Sequence, residues 1–139
     1  MPILGTWKLV SMETRSVTGS VTPGLYDDGY LLYTDDGYMS AVLTKGRRPR
    51  FATDNLTGGS AEEKARAVDT YLSYGGRYSV EGELVTHHVL FSLWPNWVGS
   101  DQVRRFALNP EGNTLTISTV NPVVTQGEES YSNLTWRRA

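Results

Sequence analysis

The sequence contains no cysteine, and this absence removes several kinds of site at once. Disulfide bonds, thiolate metal sites and cysteine nucleophiles are all excluded. Histidine is nearly as scarce, since only His87 and His88 occur. A metal site would depend on these two neighbours and on carboxylates, and many of the carboxylates lie in predicted turns. We therefore expect neither a bound metal nor another cofactor.

Long apolar runs and an excess of one charge are also missing. No stretch approaches the roughly 20 apolar residues of a membrane-spanning helix, and the N-terminal M-P-I-L-G-T-W-K lacks the pattern of a secretory signal. A net charge of −2 gives no general attraction to nucleic acid or anionic membranes. We expect one domain over residues 1–139 of a cytoplasmic protein, monomeric or homodimeric, with no nucleic-acid or membrane partner.

Motifs of the common catalytic folds do not occur either. The sequence has no G-x-S-x-G elbow, no P-loop and no G-x-G-x-x-G after a predicted strand. Hydrolase, nucleoside triphosphatase and dinucleotide-binding functions therefore have no support in its motifs.

Short β-rich segments separated by turns fill most of the sequence. The side chains of residues 4–12 alternate between two faces as in a strand, with Trp7, Leu9 and Ser11 on the same face. Asp35-Asp36-Gly37 predicts a hairpin between residues 30–34 and 38–44, and we expect five side chains of this hairpin to face inward: Leu31, Tyr33, Met39, Ala41 and Leu43. Further strands are predicted at residues 76–80, 83–92, 102–108, 114–120 and 131–138. The turn-rich residues 16–28 are either a lid or a long connection, and the basic residues 45–50 either an anion site or a solvated loop.

One helix is predicted at about residues 60–74. Ser60 and Glu63 form an S-x-x-E capping box, and Gly75 would end the helix. With about eight or nine strands and hairpin connections, the pattern predicts an all-β, up-and-down antiparallel barrel carrying one short helix. A barrel of about eight strands can enclose one small ligand.

The segment from residue 83 to 108 concentrates the polar groups that suggest a site. Successive residues of a strand face opposite sides, so His87 and His88 cannot both point inward. His87 shares its face with the apolar Val89 and Phe91, and we expect it inside. The same alternation places Gln102 and Arg104 on the face of Phe106.

An inward arginine is costly unless a carboxylate or an anionic ligand pairs with it. Arg104 could instead extend to the rim or stack on Trp94 or Trp97. We interpret the segment as part of a pocket for a planar or polyketide-like molecule with a carbonyl, enol or carboxylate. The alternative is a core histidine and an arginine fixed to the W-P-N-W corner. The predicted ligand-binding residues are His87, Arg104, Gln102, Trp94, Asn96, Trp97, Tyr33, Tyr38, Met39, Phe91 and Phe106.

Several motifs resemble a known family. Leu4-Gly5-Thr6-Trp7 and Trp136-Arg137-Arg138 resemble the two ends of the lipocalin pattern, in which the tryptophan closes one barrel end and a late arginine packs across it. G-Y-L-L-Y-T-D-D-G-Y-M-S-A, T-H-H-V, P-N-W-V-G and Q-V-R-R-F resemble the bacterial and fungal lipocalin-like domain proteins over nearly the whole chain. Unlike secreted lipocalins, the chain lacks cysteine, and its helix interrupts the strands. The resemblance therefore implies a lipocalin-like barrel but not extracellular transport.

Two functions follow as hypotheses. The first is binding of a small, hydrophobic, partly polar organic molecule inside the barrel. The second is a cofactor-free isomerase or cyclase for a polyketide- or terpenoid-like intermediate of natural-product biosynthesis. Its catalytic residues would be His87, Arg104 and Tyr33, supplying acid–base and oxyanion chemistry. A protein-interaction module is a weaker third hypothesis, because no large exposed apolar helix is evident.

Overall fold

The computed structural model describes residues 2–139, which form ten strands and one α-helix. The elements follow this order: β1 (Gly5–Ser16), β2 (Val21–Pro23), β3 (Asp28–Tyr33), β4 (Tyr38–Thr44), α1 (Ala61–Asp69), β5 (Tyr71–Glu81), β6 (Leu84–Ser92), a 3₁₀ turn (Pro95–Trp97), β7 (Asp101–Leu108), β8 (Thr114–Thr119), β9 (Val123–Thr125) and β10 (Glu128–Arg138). No helix in this part of the chain is long and apolar enough to cross a membrane.

Eight of the strands form a closed antiparallel barrel. Neighbours along the wall are β1, β3, β4, β5, β6, β7, β8 and β10, and β1 pairs with β10 to close it. The short β2 and β9 extend the edges of β1 and β10. The predicted antiparallel barrel with one short helix is thus confirmed. The turn-rich residues 16–28 contain β2 and hold Leu25 and Tyr26 against the barrel cavity.

The core follows from the period-two alternation of the strands. All five side chains expected to face inward from the first hairpin are buried: Leu31, Tyr33, Met39, Ala41 and Leu43. Leu115, Ile117 and Leu134 bury the matching faces of β8 and β10. Burial of each leucine, isoleucine or methionine side chain of this core stabilises the fold by roughly 1.5–3 kcal/mol.

Two β-bulges change which residues face inward. In β1 the register shifts between Leu9 and Ser11, so Met12 rather than Ser11 reaches the cavity. In the β5–β6 pair the register shifts at Gly75/Gly76, where a Cβ added to Gly76 would lie 2.0 Å from the backbone oxygen of His88. This close approach of the two strands requires glycine.

One end of the barrel is closed by Trp7 and Arg138. Trp7 is fully buried, its Nε1 donates to the carbonyl of Ile3 at 2.9 Å, and the Arg138 guanidinium lies 4.2 Å from its ring centroid. Arg138 also donates to the carbonyls of Leu4 and Pro2 at 2.7 and 2.9 Å. These bonds tie the two chain ends together across the floor of the barrel.

The predicted end of the helix, near residue 74, is wrong. The capping box of Ser60 and Glu63 starts the helix as predicted, but α1 ends at Asp69 and Thr70 caps it. Residues 71–81 form β5 instead, because they pair along one edge with β4 and along the other with β6. Arg48, from the basic loop, donates to the carbonyl of Ala67 at 2.9 Å and so stabilises the helix C-terminus.

Candidate functional site

The barrel contains an open cavity of about 500 Å³, and Trp7 is not among the residues that line it. Its deeper wall is largely apolar and includes Leu31, Ile117 and Leu134. The exposed residues at its mouth include Trp94 and Val124. A cavity of this size is typical of small-molecule sites, which combine apolar walls with a few placed polar groups.

His87 is the central polar group of the wall and is only 1% exposed. Alternation along β6 places it inside, as predicted, while His88 points outward. Its Nε2 lies 2.6 Å from the hydroxyl of Tyr33, and its Nδ1 lies 2.9 Å from the hydroxyl of Tyr74. The imidazole therefore bridges two buried tyrosines, one on β3 and one on β5.

Burial determines the protonation state of this chain of groups. Desolvation, with the nearby Arg104 charge as the second cause, lowers the pKa of His87 to about 3. Desolvation likewise raises the pKa of Tyr33 well above its usual value, and it raises the pKa of Tyr74 against the opposing effect of Arg104. His87 is thus a neutral imidazole at pH 7, and both tyrosines keep their protons.

This protonation state predicts a loss of stability in acid. In the unfolded chain a histidine has a pKa of about 6.5, whereas His87 in the fold stays neutral down to a pH of about 3. Below pH 6.5 the unfolded state therefore binds the extra proton, and stability falls as the pH decreases. We expect His87 to account for about 2 kcal/mol of destabilisation at about pH 5 relative to neutral pH.

Urea unfolding at about pH 7.5 and about pH 5 measures this difference. The variant His87→Asn should lose most of it, while His88→Asn, which changes the exposed neighbour, should retain it. Equal pH dependence in all three proteins would contradict the assignment to His87.

Arg104 lies beside this network and is 8% exposed. No ion pair found among residues 2–139 involves it. Its Nη1 donates to the adjacent carbonyl of Val103 at 3.2 Å, and a contact of the guanidinium with the Tyr74 oxygen opposes the rise in the pKa of that tyrosine. Its guanidinium lies 6.0 Å from the ring centroid of Trp97. A buried guanidinium without a carboxylate keeps donors available to a molecule in the cavity.

The structure brings together five of the residues predicted to bind a ligand. His87, Arg104, Trp94 and Trp97 line the cavity, and Tyr33 lies directly behind His87. The other six predicted residues do not line it: Gln102, Asn96, Tyr38, Met39, Phe91 and Phe106.

The reasons differ among these six residues. The prediction that Phe91 faces inward is wrong: it is 77% exposed because the bulge makes Leu90 an extra residue and turns Phe91 outward. Tyr38 lies outside under Arg77, and Asn96 is exposed in the 3₁₀ turn. Gln102 donates to Ser100 at 2.9 Å, and Met39 and Phe106 pack in or against the core.

Sequence reasoning did not select Tyr74 as a site residue. It was placed in the predicted helix, whereas the structure puts it on β5 facing the cavity, edge-on to Trp97 with ring centroids 5.1 Å apart. The Y-L-S-Y sequence of residues 71–74, with aromatic residues and serine before two glycines, was the available signal for a strand.

Comparison with known proteins identifies the family. Residues 4–139 match the lipocalin-like domain. The chain belongs to the lipocalin-like domain family. A relative from Aspergillus oryzae (strain ATCC 42149 / RIB 40), the 4'-hydroxy-3'-methoxypropiophenone carrier protein ppsC, is 36% identical over 108 residues, covering 72% of this chain and 96% of the relative. A lipocalin-like protein from Bacteroides uniformis ATCC 8492 has a crystal structure that superposes with a TM-score of 0.52 over the full length of both chains, at 12% identity. The second likeness supports the fold alone.

The outer surface of this lipocalin-like domain carries a second polar cluster. His88 Nδ1 lies 2.8 Å from Asp101 Oδ1, and His88 Nε2 lies 3.0 Å from Ser79 Oγ. The order of groups is that of a Ser-His-Asp triad, but all three residues lie on the outer face of the sheet and none of them lines the barrel cavity. We assign the cluster to cross-strand pairing of β5, β6 and β7.

Metal ligands do not converge in the part of the chain that the structure describes. Among residues 2–139, no three histidine, aspartate or glutamate side chains are placed to hold an ion. The cavity presents one imidazole, whose two nitrogens both contact tyrosines.

Proposed function

We propose that this lipocalin-like domain is a carrier that binds one small, hydrophobic and partly polar organic molecule in its barrel cavity. The observation that carries the proposal is a guanidinium, Arg104, buried at an apolar cavity of about 500 Å³ without a carboxylate partner. Burying such a charge is costly, and a ligand that contributes an oxygen to it offsets that cost.

The shape of the wall favours an aromatic or planar guest. Trp94 and Trp97 lie near the mouth and Trp136 lies deeper, so rings of the protein border the cavity at several levels. Aromatic groups pack edge-to-face or in offset stacks against such rings. A molecule with an aromatic body and an oxygen-bearing substituent satisfies both the apolar wall and Arg104.

The name of the Aspergillus oryzae relative supports the same class of molecule. That protein is named as the carrier of a phenolic aryl ketone. A ketone oxygen is a hydrogen-bond acceptor, and the ring is planar and largely apolar. We therefore propose aryl ketones and related aromatic carbonyl compounds as ligands of this chain.

The isomerase or cyclase hypothesis has no comparable support. An acid–base residue must exchange a proton with its substrate, whereas both ring nitrogens of His87 contact tyrosine hydroxyls and its pKa is lowered to about 3. Carriage without chemical change therefore remains our proposal.

Calorimetric titration of the purified chain with 4'-hydroxy-3'-methoxypropiophenone tests this function. We expect one molecule bound per chain, with a dissociation constant of roughly 1–100 µM for a ligand of this size, and recovery of the unchanged compound by mass spectrometry. Ala41→Phe, which fills the cavity wall, should abolish binding, whereas Ser40→Phe on the outer face should not. If the folded chain bound neither this ketone nor an aromatic carboxylate of similar size, the proposal would be contradicted.

A further inference from the structure

We propose that the cavity selects molecules that carry a hydrogen-bond acceptor, a carbonyl or carboxylate oxygen. This oxygen accepts a hydrogen bond from the Tyr74 hydroxyl, beside Arg104. We further propose that Tyr33, which does not line the cavity, fixes the direction of the Tyr74 hydroxyl through His87. This inference rests on the proposed function and specifies its polar contacts.

The direction of the network starts at Tyr33. Its side chain is 2% exposed, and Nε2 of His87, at 2.6 Å, is the one hydrogen-bond partner of its hydroxyl among residues 2–139. A buried hydroxyl that donates to nothing loses the hydrogen bond it had with water. Tyr33 therefore donates a hydrogen bond, and Nε2 of His87 accepts it.

This bond determines the tautomer of the imidazole. A neutral histidine carries one N–H, and one nitrogen acts as the donor while the other accepts. With Nε2 as acceptor, the proton of His87 lies on Nδ1. The Nδ1–H then donates to the Tyr74 oxygen, which lies 2.9 Å away.

The tautomer leaves the Tyr74 hydroxyl free to donate. Because its oxygen already accepts from His87, its own proton must point in another direction, and Tyr74 lines the cavity. Edge-on packing against Trp97 holds the ring in place. The opposite tautomer would turn the Tyr74 proton toward His87 and leave the Tyr33 proton without an acceptor.

The result is a pair of neighbouring donors on the cavity wall, the Tyr74 hydroxyl and the Arg104 guanidinium, since the guanidinium lies close enough to the Tyr74 oxygen to affect the pKa of Tyr74. An acceptor oxygen of the ligand satisfies both, and a carboxylate or phenolate also pairs with the arginine charge. A molecule whose only polar group is a charged amine would meet donors and a like charge, so the site disfavours it. Tyr33 and His87 are positioning residues in this scheme.

The test compares butyrophenone with butylbenzene, which differ only in the carbonyl group. Dissociation constants are measured by displacement of 1-aminoanthracene from the full chain. The wild-type protein should bind the ketone about five- to tenfold more tightly, as expected for one to two hydrogen bonds. Tyr74→Phe and Tyr33→Phe should both reduce this ratio toward one while the affinity for butylbenzene changes little. Tyr78→Phe is the control: Tyr78 packs against Tyr33 but donates to the carbonyl of Thr34, so the ratio should persist.

Nitrogen NMR gives a second readout that a purely structural role of Tyr33 would not change. The long-range proton–nitrogen spectrum should show the His87 proton on Nδ1 in the wild type and a shift toward Nε2 in Tyr33→Phe; His88→Gln removes the other histidine and secures the assignment. A proton on Nε2 in the wild type, or full selectivity for the ketone in Tyr33→Phe, would overturn the inference. If both compounds bind equally, only the inference fails, and if neither binds, the proposed function fails with it.

Discussion

Replacing Arg104 with methionine should weaken binding of the aryl ketone by about 10- to 100-fold and leave the fold intact. The guanidinium is buried without a carboxylate, so its loss removes a charge-assisted hydrogen bond to the ligand worth about 1.5–3 kcal/mol. The substitution removes no ion pair from the fold. Methionine has a similar volume and no charge, so the cost of burying the guanidinium disappears. We therefore expect the free energy of unfolding to stay within about 1 kcal/mol of the wild-type value or to rise.

Arg105→Met is the matched control for this change. Arg105 lies next in the strand but faces outward, where its Nη1 lies 3.3 Å from Glu83. Calorimetric titration should show wild-type affinity for Arg105→Met. A marked loss of stability in Arg104→Met with unchanged affinity would show that Arg104 serves the fold rather than the ligand.

Replacing Trp7 with alanine should destabilise the protein by about 3–5 kcal/mol, the range for deleting a buried aromatic side chain. The side chain is fully buried, bonds to Ile3 and lies under Arg138. Its loss opens a void in the floor and removes the surface on which Arg138 stacks. Urea unfolding monitored by circular dichroism measures the change.

Trp94→Ala provides the comparison at the other end of the barrel. Trp94 is 53% exposed and borders the mouth of the cavity. We expect a loss of less than about 1 kcal/mol in stability, since exposed side chains contribute little, together with weaker ligand binding. Similar unfolding free energies for the two variants would contradict the role given to Trp7.

The barrel itself was predictable because its signals are local and repeated. Alternation along the strands placed Leu31, Tyr33 and His87 inside, and Asp35-Asp36-Gly37 marked a hairpin. The same alternation correctly separated His87 from His88. These features depend on the side-chain period of a strand, which the sequence displays directly.

The residues that sequence reasoning misplaced depend on pairing between distant strands. A bulge adds one residue without a distinctive pattern, so the outward turn of Phe91 and the inward turn of Met12 follow only from the register with partner strands. Tyr74 was assigned to a helix because the apolar spacing of residues 61–72 continues past Asp69. Pairing of β5 on both edges decides its conformation, and those partners lie far away in the sequence.

The closed floor has a consequence for how cargo would be exchanged. Because Trp7 and Arg138 close one end of the barrel, we expect a ligand to enter and leave through the same opening, beside Trp94. With a single opening, a second molecule can bind only after the first has dissociated. We therefore expect the rate of ligand exchange to equal the dissociation rate of the bound ligand and to be independent of the concentration of a competing ligand.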